Sequence, residues 1–266
     1  MNEHGQLFVK NPHSILAALQ SRPKDVVEII FPKDITDGVW AAISAQADQN
    51  KIRKQEARGD GGNFAAPAPR KDSKRNPAKG PITPKASKTF LGRDSAHGAL
   101  IRPKVPTSVE RLFDGIDQDT RGVWLALDSL QDPQNLGAIF RSAAFFGVKG
   151  IILTTERSAP MSATVYDISA GGVEAIPYVP VINLQRAFEK AKDAGLWILG
   201  TSEHSKTPLS QIQEDRPWLL VVGNEENGMR RLTEEACDMT CAIPAQSPVV
   251  TSLNVSVATG ILLSHL

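Results

Sequence analysis

Trp218-Leu219-Leu220-Val221-Val222-Gly223-Asn224-Glu225-Glu226-Asn227-Gly228-Met229 joins five apolar residues to a polar loop flanked by glycines. A short, unbroken apolar run ending in β-branched residues reads as a strand covered on both faces. Such strands belong to largely parallel sheets packed between helices. Further strands are expected at 123–127, 150–153, 196–200 and 241–243, with helices at 134–146, 184–194, 229–236 and 253–263. Asp132 is placed to cap the first of these helices, with Pro133 in its opening turn. The chain from about residue 121 onward therefore reads as α/β with a mostly parallel sheet.

In open α/β sheets ligands gather at the carboxyl ends of the strands. Three blocks fall there: Asn135-Leu136-Gly137-Ala138-Ile139-Phe140-Arg141, the Gly223–Met229 loop, and Ser252-Leu253-Asn254-Val255-Ser256-Val257-Ala258. Three loops at one sheet edge converge on one pocket. Singly, each residue also has a plain role. Arg141 suits a surface salt bridge, and Glu225 suits solvation or helix capping. Asn254 suits a bond to a loop carbonyl, and Ser252 suits the N-cap of the last helix. Gly223 and Gly228 permit tight turns or close backbone approach. Val255, Val257 and Ile261 are expected to supply the packing of that helix.

The N-terminal part differs in composition. Ile15, Leu16 and Leu19 follow Asn11-Pro12 as the stripe of a short helix, and 26–31 reads as a strand. Residues 39–57 read as a second helix that becomes polar and basic. Residues 58–88 are rich in Gly, Pro, Ala, Ser and Lys and too poor in large apolar groups to offset chain entropy, which predicts an extended or disordered stretch. An apolar pattern resumes at 96–101, as if to complete the first unit. Between Lys51 and Lys104 stand 14 Lys or Arg against 4 Asp or Glu, although the whole chain carries a formal charge of +1. That segment is either an electrostatic handle for a polyanion or a solvated tether.

Several function classes are excluded by pattern. No apolar run reaches the roughly 18–20 residues of a membrane span, and Met1-Asn2-Glu3-His4-Gly5 has no secretory character. Cys237-x-x-x-Cys241 without further Cys or a nearby His makes a poor zinc site, and the thiols suit a reducing cytoplasm. Neither a dinucleotide Gly-x-Gly-x-x-Gly nor a P-loop nor a Gly-x-Ser-x-Gly elbow is present.

Taken in order and spacing, the blocks resemble the SpoU/TrmH family of RNA ribose 2′-O-methyltransferases. The match begins with Leu127-Asp128-Ser129-Leu130-Gln131-Asp132-Pro133-Gln134-Asn135-Leu136-Gly137. It continues through Arg157-Ser158-Ala159-Pro160, Ser169-Ala170-Gly171-Gly172, Gly200-Thr201, the glutamate loop, Ile243-Pro244 and Ser252 to Gly260. Asn11-Pro12-His13-Ser14 and His97-Gly98-Ala99 resemble the small substrate-binding domain of the rRNA-guanosine branch. The resemblance implies a small α/β RNA-binding domain at 1–57, completed by about 95–105, and a basic Pro/Gly-rich insertion or linker at 58–94. A trefoil-knotted SPOUT-type catalytic domain at 106–266 follows, in a cytoplasmic homodimer that needs no metal.

It further implies S-adenosyl-L-methionine as cofactor, held by the loops at Gly223, Ile243 and Leu253, with Thr201 as a further contact. The substrate it implies is RNA, a guanosine of 23S-type rRNA. Arg141 matches the arginine assigned to the ribose hydroxyl, with Asn135, Glu225, Ser252 and Asn254 as its polar supporters. A guanidinium is a poor proton acceptor, so electrostatic stabilisation or phosphate positioning suits Arg141 better than base chemistry. Two departures stand out. Ala245-Gln246-Ser247-Pro248-Val249-Val250-Thr251 lacks the family's glycine, adds a proline and is longer by one residue. Asp167 stands where a basic residue is frequent. The altered loop motivates an alternative, a non-catalytic RNA-binding or ribosome-assembly protein on the same fold.

Overall fold

Backbone pairing sorts the strands into two sheets in the computed structural model, which describes residues 5–33, 38–57, 97–117 and 119–266. The stretch expected to be an extended insertion, 58–94, lies outside the described residues. The first unit comprises β1 (Leu7–Val9), α1 (Pro12–Ser21), β2 (Val26–Phe31), α2 (Gly38–Gln49), β3 (Arg53–Glu56) and β4 (Gly98–Ile101). Asn11 caps α1 by accepting from the amides of His13 and Ser14, as Ser, Asn and Asp side chains do at helix starts. Strand β4 lies between β1 and β2, antiparallel to both. The residues after the basic stretch thus supply a central strand of the small sheet.

The helix expected at 39–57 is shorter. It stops at Gln49, Lys51 turns left-handed at φ 54, and the Ile52 amide closes back on the Ala47 carbonyl at 2.9 Å. A left-handed residue after the last turn satisfies the orphan carbonyls of a helix end. The chain then leaves as β3, pairing parallel with β2.

After α3 (Val109–Leu112) the larger sheet begins. In chain order it has β5 (Gly122–Leu127), α4 (Pro133–Phe145), β6 (Ile151–Thr154), α5 (Ala163–Ser169), α6 (Gly172–Ala175) and β7 (Tyr178–Val181). It continues with α7 (Leu184–Asp193), β8 (Trp197–Thr201), β9 (Pro217–Val222), α8 (Arg231–Glu235), β10 (Met239–Cys241) and α9 (Val255–His265). The strand order is β10-β8-β9-β5-β6-β7, and every described pairing within it is parallel. All six residues of β9 are buried, as a strand covered by helices on both faces requires. From β5 onward three elements went unread in the sequence. β7 is a short edge strand holding Pro180, tolerated there because an edge needs fewer donors. α5 and α6 are split by Ala170 at φ 48 and Gly171 at φ 100, too short for a periodic signal.

Helix α4 is wedged between neighbours that leave no room for side chains. A Cβ on Gly137 would sit 2.8 Å from Ile168 Cβ, and one on Gly172 would sit 2.5 Å from the Phe140 carbonyl oxygen. Helix α9 also packs on α4, through Val255 as expected but otherwise through a different stripe. Val255, Thr259, Leu262 and Leu263 are buried, whereas Val257 and Ile261 are exposed. The buried set follows the i, i+4, i+7, i+8 face of a helix resting on one neighbour.

Polar bonds, beside an apolar core continuous between the two, tie the small unit to α5 and α6. The Arg22 guanidinium meets the Glu174 carboxylate through two 2.7 Å bonds, with side-chain exposures of 14% and 3%. Lys104 Nζ donates to the carbonyls of Val173, Glu174 and Ile176 at the end of α6. Ser14, buried in α1, donates to the Tyr166 carbonyl and accepts from the Gly171 amide. The unusual Asp167 belongs here: its Oδ1 accepts from the Lys10 and Asn11 amides at 2.7 and 2.8 Å. An acid suits this position because it faces two backbone donors.

Removing one partner of a buried pair leaves the other charge uncompensated. Arg22→Ala is expected to cost ~3–5 kcal/mol, a fall in thermal midpoint on the order of 10 °C for a chain this size. Arg53→Ala, whose side chain is 72% exposed beside Glu28, should cost under ~1 kcal/mol. Equal midpoints for the two variants in thermal denaturation would show that the Arg22 pair does not lock the interface.

Candidate functional site

Register decides which loops meet. Leu127 stands opposite Val222, Gly200 opposite Val221, and Cys241 opposite Thr201. The carboxyl ends of β5, β9, β8 and β10 are therefore level, and their following loops share one edge.

Asn135 lies in the first turn of α4, after the Asp132 cap, and is buried. Its Nδ2 donates to Glu225 Oε1 at 3.1 Å, and its Oδ1 accepts from Asn254 Nδ2 at 3.0 Å. Asn224 Nδ2 donates to the other carboxylate oxygen at 3.1 Å and to the Ser129 carbonyl at 2.9 Å. Asn254 Oδ1 accepts from the Ser256 and Val257 amides and from Ser256 Oγ, so Asn254, not Ser252, is the N-cap of α9. A carboxylate facing these amides only accepts, so Glu225 sets the orientation of Asn135, and Asn135 sets that of Asn254. One residue from each of the three sequence blocks is thus joined in a directed chain.

The other expected residues are placed differently. Arg141, six positions after Asn135 on α4, is exposed and makes no side-chain hydrogen bond or ion pair among the described residues. Ser252 is likewise exposed without such a bond. Leu253 is 48% exposed and lines neither of the cavities described below. Thr201 Oγ1 donates to the Val221 carbonyl at 3.0 Å, stitching β8 to β9. Gly223 is required sterically, because a Cβ there would lie 2.1 Å from Gly228 C and Met229 N. Asn224 and Gly228 exchange both backbone bonds beyond it, at 2.9 and 3.0 Å, and close the loop that carries Glu225.

Ile243 lines an open cavity of about 670 Å³ with Glu203, Lys206, Pro208, Pro244 and Thr251. Its lining mixes polar and charged groups with the apolar side chains of Pro208, Ile243 and Pro244. Of the atypical 245–251 segment only Ala245 and Thr251 face this cavity. The middle is folded on itself, with Ser247 Oγ accepting from the Val249 and Val250 amides at 3.2 Å each. The extra residue and the proline thus form a separate hydroxyl-braced turn.

A smaller cavity of about 190 Å³ lies on the β5–β6 side of the glutamate loop. Beside it Asp128, fully buried, accepts from Arg230 Nε at 2.7 Å and from Ser129 Oγ at 3.1 Å. Asp128, Asn224 and Arg230 went unremarked as site residues in the sequence. Their only signal was an Asp at the end of a buried strand, where an unpaired charge would be intolerable.

Burial pushes the Cys241 and Cys237 thiols up to about 11 and about 12, which leaves both inert as nucleophiles near neutral pH. Among the described residues no group of three His, Cys, Asp or Glu is arranged to hold a metal ion. Nor, among the described residues, is any helix long and apolar enough to cross a membrane.

The directed chain has a testable polarity. Asn135→Ala leaves Glu225 and Asn254 each short of a partner, a loss of ~1–3 kcal/mol. Asn135→Asp should be worse, since it removes the donor and sets a second carboxylate against Glu225. Chemical denaturation followed by circular dichroism ranks the variants, and Asn135→Asp matching the unmutated protein would refute this arrangement.

Comparison with known proteins places these features in context. Residues 122–264 match the model of the SpoU rRNA Methylase family. The 23S rRNA (guanosine-2′-O-)-methyltransferase RlmB of Nitrosomonas europaea is 41% identical over 156 residues, 59% of this chain and 59% of that relative's length. The protein of the same name from Neisseria meningitidis serogroup B is 33% identical over 255 residues, covering 95% of this chain and 91% of the relative. The SpoU methyltransferase AviRb of Streptomyces viridochromogenes superimposes with a TM-score of 0.71 at 18% identity, covering 98% of this chain and 88% of the other. Its complex with the cofactor AdoMet superimposes with a TM-score of 0.67 at 20% identity, covering 99% and 90%. The likeness to these structures establishes the fold, a SPOUT-type parallel sheet with a small sheet ahead of it, as the sequence resemblance implied.

Proposed function

The chain belongs to the SpoU rRNA methylase family, and we propose that it methylates a ribose 2′-hydroxyl of RNA, that of a guanosine in 23S-type rRNA. S-adenosyl-L-methionine is the methyl donor in this reading. The observation that carries it is the Asn254–Asn135–Glu225 chain, which joins three separate sequence blocks at the edge that also holds the larger cavity.

The residues of that cavity fit the cofactor. Ile243, Pro208 and Pro244 offer apolar faces to an adenine, while Lys206 and Glu203 complement the carboxylate and ammonium of a methionine moiety. When bound, the cofactor supplies an electrophilic methyl group on sulfur. What remains for the protein is to place a hydroxyl in line with it, and orientation of that kind accounts for much of the rate in such transfers. The amide–carboxylate chain holds the loops after β5, β9 and β10 at fixed separations, so the substrate side and the cofactor side keep their spacing.

Arg141 acts as a permanent positive charge toward the ribose hydroxyl or its phosphate, stabilising the alkoxide that develops as the hydroxyl proton passes to solvent. Its freedom from partners among the described residues leaves the guanidinium available for RNA. Arg141→Ala is expected to lower kcat by ~10²-fold while calorimetry shows unchanged S-adenosyl-L-methionine affinity. Near-normal turnover in that variant would remove Arg141 from the reaction. Ribose-methylation mapping of rRNA from cells with and without the protein identifies the nucleotide, and no difference between the two would refute the reading.

The working unit is a homodimer in a reducing cytoplasm. Leu253, Val257 and Ile261 recur every four residues along one side of α9 and its approach, 48%, 51% and 38% exposed. An apolar stripe of that kind suits a second copy of the chain. Sedimentation should give a dimer, and Val257→Glu with Ile261→Glu should give a monomer. A wild-type monomer at micromolar concentration would refute the dimer.

A further inference from the structure

Among the described residues four non-glycine positions have positive φ: Lys51, Ser129, Arg157 and Ala170. Lys51 and Ala170 end helices, where left-handed residues are ordinary. Ser129 (φ 60) and Arg157 (φ 53) end none, and both line the 190 Å³ cavity beside the glutamate loop. Strained residues persist where the surroundings over-determine them, and they cluster at ligand sites.

The surroundings here are specific. Thr154, 1% exposed at the end of β6, accepts from the Ser129 amide at 2.8 Å and bonds Ser158 Oγ at 2.7 Å. The Ala159 amide donates to the Leu130 carbonyl at 2.7 Å. One buried hydroxyl thus braces both strained turns from behind, and Arg157 is carried on the outer side of its turn, exposed. Arg157 makes no ion pair or side-chain hydrogen bond among the described residues. Across the cavity Arg230 is anchored to Asp128 through Nε and its own amide, the latter at 3.2 Å to Oδ2. Asp128 offsets the charge of Arg230 but not that of Arg157, and no acidic residue is among the cavity's lining residues. Gln131 and Asn227 add polar lining.

The cavity is below the ~300–1,000 Å³ of ordinary small-molecule sites and suits a compact anion. It also touches the candidate active site. Asn224, one of its walls, donates both to the Ser129 carbonyl and to Glu225. We propose that this cavity seats a backbone phosphate of the RNA strand adjoining the nucleotide to be methylated, with Arg157 as its charged contact and Arg230 as its fixed wall. This rests on the RNA methyltransfer reading above. It also explains the strain: a relaxed turn would turn Arg157 away from the anion.

The test compares wild type, Arg157→Gln and Arg157→Gly for binding to transcribed 23S rRNA across a salt series, alongside methyl transfer. Losing one phosphate contact should flatten the log–log salt slope by ~0.7. It should also raise KM for RNA by about 10-fold, the effect of losing one charge-assisted contact. Affinity for S-adenosyl-L-methionine should not change. Arg157→Gly should lose RNA affinity equally while its thermal midpoint rises by ~2–4 °C as the backbone strain is relieved. Unchanged slope and KM in Arg157→Gln would overturn the proposal, as would a marked fall in the midpoint of Arg157→Gly. If wild type binds RNA with the steeper slope yet transfers no methyl group, the phosphate site stands and the methyltransfer reading falls.

Discussion

Parallel pairing of β5 with β9 brings Leu127 level with Val222, and the geometry of the site follows from that register. Parallel strands send their following loops over the same edge, so Asp128 and Gly223 leave the sheet side by side. Asp128 closes the gap with its amide on the Val222 carbonyl, and its buried carboxylate holds Arg230 from the far end of the glutamate loop. Slippage by one residue would turn the alternate side chains of β9 over and separate Asn135 from Glu225. Gly223 belongs to the same constraint, since no side chain fits between β9 and the returning Gly228–Met229 backbone.

Helix α4 carries that constraint outward. Its first turn holds Asn135, its exposed side holds Arg141, and Gly137 lets α5 approach against it. Gly172 brings α6 against the Phe140–Arg141 backbone, and Gly171 meets Ala17 and His13 of α1 from the other side. The Ser169–Gly172 turn is therefore clamped between the small unit and the helix bearing Arg141. Buried polar bonds act beside an apolar core shared by both units in holding the small unit in place. Such bonds are directional, so they favour one orientation of that unit, and its surface keeps a set distance from the site edge.

The two departures from the family pattern have physical accounts. Asp167 faces backbone amides of the small unit, a role that a basic side chain cannot fill because it has no acceptor. The lengthened 245–251 segment forms its own turn around Ser247 and leaves Ala245 and Thr251 on the cavity wall. Neither change touches the Asn254–Asn135–Glu225 chain. Val257 and Ile261 leave exposed apolar side chains along one side of α9.

Local rules were sufficient for much of this. Apolar runs announced four of the strands near the site, while the fifth, expected at 241–243, lies two residues earlier as β10; Asp132-Pro133 and Asn11-Pro12 announced helix starts, and the motif spacing pointed to one edge. Short or broken elements escaped: β7 with its proline, and α5 and α6 divided at Ala170-Gly171. β3 was hidden in the polar tail of a predicted helix. Whether Ser252 or Asn254 caps α9, and which side of α9 is buried, depended on what α4 presents to it. The sequence by itself determined the parallel α/β class and the residues that leave each strand end, because those depend on side-chain period and turn chemistry. Only the tertiary structure decided that Asn135, Glu225 and Asn254 bond in series while Arg141 stands apart. It alone also showed that Ser129 and Arg157 share a strained cavity. Contacts between residues some 30 to 120 positions apart are set by strand register and helix packing, and no local pattern encodes them.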